Sequence, residues 1–107
     1  MMWNVYYTND AKQDLQDIYS YISYILLEPI TARNQTNRIM DAIDSLEHMP
    51  LRHRLYEHEP WYSKGLRSFP VDNYLVFYLP EETKNSVAVI RIMYCGRNTQ
   101  KHLVKTE

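Results

Sequence analysis

Cysteine is almost absent from this 107-residue sequence, where Cys95 stands alone. One thiol closes no intramolecular disulfide and leaves no second cysteine for a zinc knuckle, so the fold is expected to rest on an apolar core and to reside in a reducing compartment, the cytoplasm. Glycine is nearly as scarce, with only Gly65 and Gly96. Isolated glycines build no phosphate-cradling loop, which removes the nucleotide-binding motifs. Long hydrophobic runs are missing too. The longest largely apolar stretch, Tyr21 to Leu27, falls far short of the roughly 20 residues that span a bilayer. The N-terminus carries neither the basic flank nor the apolar stretch and cleavage site of a signal peptide. No internal repeat, linker or low-complexity segment is visible, so membrane and export roles are not expected.

What is present suits one ordinary globular domain over residues 1–107, with 45% hydrophobic and 23% charged residues. A chain of this length buries on the order of 65% of its unfolded surface, enough for a core without staples. The net charge of −1 conceals an asymmetry. Residues 1–60 hold five Lys/Arg and nine Asp/Glu, whereas residues 61–107 hold seven and four. A basic C-terminal half suits a phosphate backbone or an acidic partner, although solvated faces produce splits of this size as well.

Trp3, Val5 and Tyr7 alternate with Asn4 and Tyr6, the period of a half-buried strand. Thr8 or Asn9 offers an N-cap, and from Asp10 the period becomes helical. Leu15, Ile18, Tyr19, Ile22, Ile25 and Leu26 share one face, and Asp10 and Asp14 suit the positive end of the helix dipole. The Glu28-Pro29 step ends this helix, because proline disfavours an α conformation at the residue before it. Pro29 opens the next, which carries Ala32, Thr36, Ile39, Met40, Ile43 and Leu46 as its stripe until Pro50. The pair is expected to form an antiparallel hairpin.

About fifteen residues after Met49 lack any period, a length usual for functional connections. Strands follow over Leu66 to Val71 and Tyr74 to Leu79, flanking the turn Asp72-Asn73. A polar turn through Pro80 and Glu81 to Ser86 leads to a last strand, Val87 to Tyr94. Strict alternation there puts Val87, Val89, Arg91 and Met93 on one face and Ala88, Ile90, Ile92 and Tyr94 on the other. The order β-α-α-β-β-β predicts an α+β fold with the helical hairpin packed on one face of a mainly antiparallel four-stranded sheet.

Motifs with chemistry of their own are few. His48, His53, His58 and His102 show no metal-ligand spacing, so neither a metal nor another cofactor is expected, and no nucleophile elbow supports a serine triad. What stands out is a string of cations, Lys64, Arg67, Arg91, Arg97, Lys101 and Lys105, accompanied by Tyr94 and His102. Each alone reads as an ordinary surface residue. Together, Arg67, Arg91 and Arg97 are expected to converge on the open sheet face, where guanidinium forks hold phosphate bidentately. Tyr19, Tyr74 and Tyr78 read as core or cross-strand packing.

The segment Gly65-Leu-Arg-Ser-Phe-Pro-Val-Asp-Asn-Tyr-Leu-Val-Phe-Tyr78, followed by Val89-Ile-Arg-Ile-Met-Tyr-Cys-Gly-Arg-Asn98, resembles the RelE/ParE toxins of bacterial type II toxin-antitoxin systems. Trp3 to Tyr7, Ala11 to Ile25 and Ala32 to Pro50 are similar to the first strand and two helices of that family. The resemblance implies a small cytoplasmic toxin of the plasmid-stabilising kind, neutralised by a cognate antitoxin, in a hetero-oligomer or as a homodimer. It also divides into two chemistries. RelE-like members are ribosome-dependent messenger-RNA endonucleases that need a proton acceptor, a proton donor and cations for the phosphoryl transition state, without a metal. ParE-like members poison DNA gyrase by binding it.

Leu75 favours the ParE branch, since ribonuclease members tend to carry arginine just after the strand tyrosine. For the ribonuclease alternative, the resemblance implies that Arg67 and Arg97 stabilise charge while His102 or Tyr94 moves protons, with Glu57, His58 or Glu59 as a further base. Lys64, Arg67, Arg91, Arg97 and Lys101 form the expected target-binding set on either branch. A toxin-like module that has lost activity and only binds a partner is the third possibility.

Overall fold

The computed structural model describes residues 2–95 and Leu103. Strand β1 (Asn4–Tyr7) alternates exposed and half-buried side chains as its sequence predicts. Thr8 is the N-cap of α1 (Asn9–Ser20): its Oγ1 accepts from the Ala11 amide at 3.2 Å and donates to the Val89 carbonyl at 2.8 Å. One hydroxyl therefore satisfies an orphan helix donor and ties the helix start to the sheet. The helix then passes into a π-helical turn over Tyr21–Ile25. Helix α2 (Pro29–Asp44) begins at proline as expected and buries Ala32, Thr36, Ile39 and Ile43. Short 3-10 turns at Ser45–Glu47 and Pro50–Arg52 and the single-turn helix α3 (Trp61–Lys64) lead to β2 (Arg67–Val71), β3 (Tyr74–Glu81) and β4 (Ser86–Tyr94).

The sheet order is β1-β4-β3-β2, with β1 parallel to β4 and the other two pairs antiparallel. Helices on one face of a mixed, mainly antiparallel sheet make the α+β architecture expected from the order of elements. The larger core lies between α1, α2 and the sheet, where Ile39, Ile43 and Leu46 meet Val76, Tyr78, Val87, Val89 and Ile92. Ile39 and Ile43 are fully buried, which is worth about 2 kcal/mol each.

Three expectations need correction. The α1 stripe does not run through to Leu26. Ile22 is buried, whereas Tyr19, expected to pack, is exposed; Ile25 and Leu26 are exposed as well, because the wider π turn advances the chain by an extra residue and rotates its last side chains outward. The strict alternation of β4 fails at a bulge. Phe77 pairs with Arg91 while Tyr78 pairs with Val89, so Ile90 is an extra residue and the phase changes there. Val87, Val89 and Ile92 consequently share the helix-facing core, whereas Ile90 and Met93 pack on the other side.

That other side is not open. Trp61, Leu66, Phe77, Met93 and Leu103 form a second apolar cluster with Tyr56, Leu75, Leu79 and Ile90 around it. The connection without a periodic pattern is the layer that covers this face. Gly65 lets it turn, adopting φ 87° at the end of α3, a left-handed value that residues with a Cβ reach only with strain.

Candidate functional site

The basic residues occupy different places and have different partners. Arg67 begins β2, on the sheet edge, and its Nη1 donates to the His53 carbonyl at 2.6 Å, while its Nε is buried without a hydrogen-bond partner among the described residues. Arg91 turns the opposite way, around the β4 edge. Strand β1 ends at Tyr7 opposite Val89, so the β4 amides beyond have no strand to meet. Asp14 of α1 fills that place, accepting from the Ile92 amide at 2.9 Å, from Arg91 Nε at 2.7 Å and from Arg91 Nη2 at 2.9 Å. The pair is largely buried, with side-chain exposures of 17% and 12%. The Asp14 carboxylate holds the Arg91 guanidinium above its ordinary pKa. Arg67 and Arg91 therefore do not converge, and Asp14 serves as a strand-edge acceptor rather than as a helix-dipole charge.

Lys64 lies over the Trp61 ring, 4.8 Å from its centroid. Tyr94 is exposed at the end of β4 and meets the buried Tyr74 edge to face at 5.6 Å. Arg97, Lys101 and His102, together with Lys105, lie outside the described residues.

The segment before β2 supplies residues that sequence reading passed over. Leu55 bridges Arg67, and the Tyr56 amide donates to the Leu66 carbonyl at 2.8 Å, so residues 54–56 run along the β2 edge. His53 stacks on Phe69 with centroids 4.4 Å apart. Burial, and then the Arg52 and Arg67 charges, lower its pKa. Tyr78 lies beneath, fully buried with its hydroxyl donating to the Pro50 carbonyl, and burial pushes its pKa up to about 12. Tyr78 is thus a neutral framework group at physiological pH, in line with the packing role its pattern suggests. The run Arg52-His53-Arg54 was the available signal for this basic edge, but without helical or strand period it had no predictable direction.

A cleft of about 350 Å³ opens beside this edge, lined by Arg54, Tyr56, Glu57 and His58 on one side and by Phe69, Pro70 and Leu75 on the other. Leu75 makes part of its wall apolar. Glu57 lies 3.5 Å from the Arg54 guanidinium, and His58 stands edge to face with Tyr56. Glu59 instead braces α3, where its carboxylate accepts from the Ser63 amide at 2.9 Å and hydroxyl at 2.6 Å; these two bonds hold its pKa below the usual carboxylate value. Among the described residues no group of three or more His, Cys, Asp or Glu is placed to hold a metal, and no helix is long and apolar enough to cross a membrane.

This architecture has close counterparts. The family profile described as the ParE toxin of type II toxin-antitoxin systems, parDE, matches residues 5–99. The chain belongs to the ParE toxin family. A chain of the chromosomal ParDE system from P. aeruginosa superposes on this toxin with a TM-score of 0.72 at 18% identity, over 88% of this chain and 97% of that one. A chain of the RelBE2 toxin-antitoxin complex from Mycobacterium tuberculosis gives 0.62 at 19% identity, over 88% and 99%. An arginine-to-alanine double variant of free E. coli RelE gives 0.68 at 12% identity, over 98% and 97%. At such identities these structures share the fold, and they come from both named branches. No curated protein matches the toxin in sequence.

Proposed function

We propose that this type II toxin inhibits growth by binding DNA gyrase rather than by cutting messenger RNA. The observation that carries the reading is Leu75, an apolar residue in the wall of the cleft at the point where resemblance to ribonuclease members calls for a cation. Phosphoryl transfer needs positive charge aimed at the equatorial oxygens of the transition state. Here Arg91 is committed to Asp14 and Arg67 donates to a backbone carbonyl, which supports framework roles for both. An apolar wall rimmed by Arg54 and His58 suits the binding of a protein surface, where an apolar centre with a polar rim is the usual anatomy.

The ribonuclease alternative draws support from the Arg52, His53, Arg54 and Arg67 edge, with an imidazole biased toward its neutral, proton-accepting form. Induced expression in a bacterium, with translation followed by pulse labelling and gyrase activity followed by plasmid supercoiling, separates the two. Growth arrest with lost supercoiling and continuing translation is expected. Ribosome-bound messenger RNA cut in the presence of the toxin, and left whole with His102→Ala, overturns the gyrase reading. Normal growth at verified soluble expression overturns both and leaves the partner-binding module.

The same family membership supports a cognate antitoxin as the partner. We assign to it an acidic or amphipathic segment that covers the basic strand region and a hydrophobic groove beside the helix pair.

A further inference from the structure

The tip of the helical hairpin combines three features that no contact among the described residues explains. First, Tyr21, Tyr24, Ile25, Leu26, Leu27 and Ile30 are all more than half exposed. At those exposures, six such side chains present on the order of 700 Å² of largely apolar surface, above the largest patch of a typical monomer and close to the roughly 800 Å² that each partner of a specific interface contributes. Second, the exposure is built in by the backbone. The π turn, closed by the Leu26 amide donating to the Tyr21 carbonyl at 3.0 Å, swings the end of the apolar stripe out of the core. Third, the turn closes with the Glu28 amide donating to the Ile22 carbonyl, six residues back, and Leu27 between them at φ 59°. Helices that end in this way normally place glycine or asparagine at the left-handed position. Here a leucine is held in that strained conformation with 76% of its surface in water.

We propose that the hairpin tip is a self-association surface that joins two copies of this toxin about a twofold axis. The area argues for a second copy, since two such patches together reach the lower half of the standard interface range. The rim charges argue for it as well. Glu28 and Arg33 are exposed on either side of Ile30 in the sequence, and neither forms an ion pair among the described residues. An isologous contact brings each glutamate to the arginine of the other copy, the self-complementarity a twofold interface requires. Leu27 then gains from the partner the burial that its own chain denies it. The proposal does not depend on which cellular target the toxin has.

Analytical ultracentrifugation of the 107-residue chain from about 1 to about 200 μM tests it. A species of twice 12.9 kDa is expected at the upper concentrations, dissociating on dilution. Leu27→Asn, which relaxes the backbone while removing the apolar side chain, is expected to weaken association tenfold or more while holding or raising the melting temperature. Tyr24→Ser is expected to weaken it by a similar factor with an unchanged circular dichroism spectrum. Glu28→Arg should also weaken it, and adding Arg33→Glu to the same chain should restore it. A monomer throughout the concentration range overturns the proposal. So does a dimer whose dissociation constant is the same in Leu27→Asn and Tyr24→Ser as in the parent chain, which would put the contact elsewhere. Tip variants that impair only the binding of another protein, with a monomeric parent chain, also overturn it.

Discussion

Replacing Asp14 by asparagine removes the charge that faces Arg91 while leaving an oxygen to accept from the Ile92 amide. Before the change, one carboxylate accepts three hydrogen bonds, at 2.7, 2.9 and 2.9 Å, at a largely buried position. Removing one charge of a largely buried ion pair forfeits its Coulomb attraction and the charge-assisted part of its hydrogen bonds, with a cost of about 3 kcal/mol where, as here, a rim of each group still reaches solvent. A domain of this length has an unfolding entropy near 0.2 kcal/mol per kelvin, so the melting temperature should fall by roughly 13 °C. Arg91→Met keeps the carbon stem and removes the cation, and it should destabilise by a similar amount. The double variant removes both charges of the pair, and its loss should be smaller than the sum of the single losses by about 1.5 kcal/mol or more. Thermal unfolding followed by circular dichroism measures all three. Additivity within about 0.5 kcal/mol would refute the coupling, as would an Asp14→Asn melting temperature within about 3 °C of the parent. The double variant also tests function. If it is folded at the growth temperature and still arrests growth, Arg91 is a framework residue. If it is folded and inert, Arg91 contacts the target.

Alkali should unfold the protein through two tyrosines. Burial raises Tyr7 and Tyr78 from 10 to about 12, so the folded state holds their protons where the unfolded state releases them. The stabilisation is complete below about pH 10 and is lost as pH rises through about 12, and urea midpoints between about pH 8 and 11.5 should fall accordingly, less steeply in Tyr78→Phe. Gly65→Ala meets no atom within 4 Å, so the strain of φ 87° is its whole effect; a loss of about 1 kcal/mol is expected in denaturant titration, with Gly65→Asn affected less. His102→Ala should leave growth inhibition nearly intact under the gyrase reading, since no proton is transferred, and growth curves at matched expression check it. The association rate with the antitoxin should fall steeply with salt, because like-signed cations populate the C-terminal half; a rate independent of ionic strength in stopped-flow mixing would count against that surface.

Much of the fold could be read locally. The strand alternation at Trp3 to Tyr7, the cap at Thr8, the proline that opens α2, its buried stripe and the Asp72-Asn73 turn each follow from residues within a few positions of one another. Asp72 does adopt the positive φ, of 54°, that such a turn tolerates. The family resemblance was legible for the same reason, since it lies in two continuous segments. The candidate site was less so. Arg67 was picked out from the sequence, but its partner in the unpatterned connection was not, because a chain without period has no predictable direction.

What tertiary structure alone decided lies in long-range pairing. Nothing near Arg91 shows that its partner is Asp14, 77 residues earlier, or that the carboxylate takes over where β1 runs out. The same holds for the π turn and for the bulge at Ile90. Both insert one residue into a regular period, and an insertion is stable only against the neighbours it packs on. Periodicity thus determined which residues are helix and which are strand, because that choice is made by each segment's own alternation of apolar and polar side chains. Which cations are paired within the fold, and which apolar side chains were turned out to solvent at the hairpin tip, was decided when the segments met, because burial and charge pairing are properties of the assembled core.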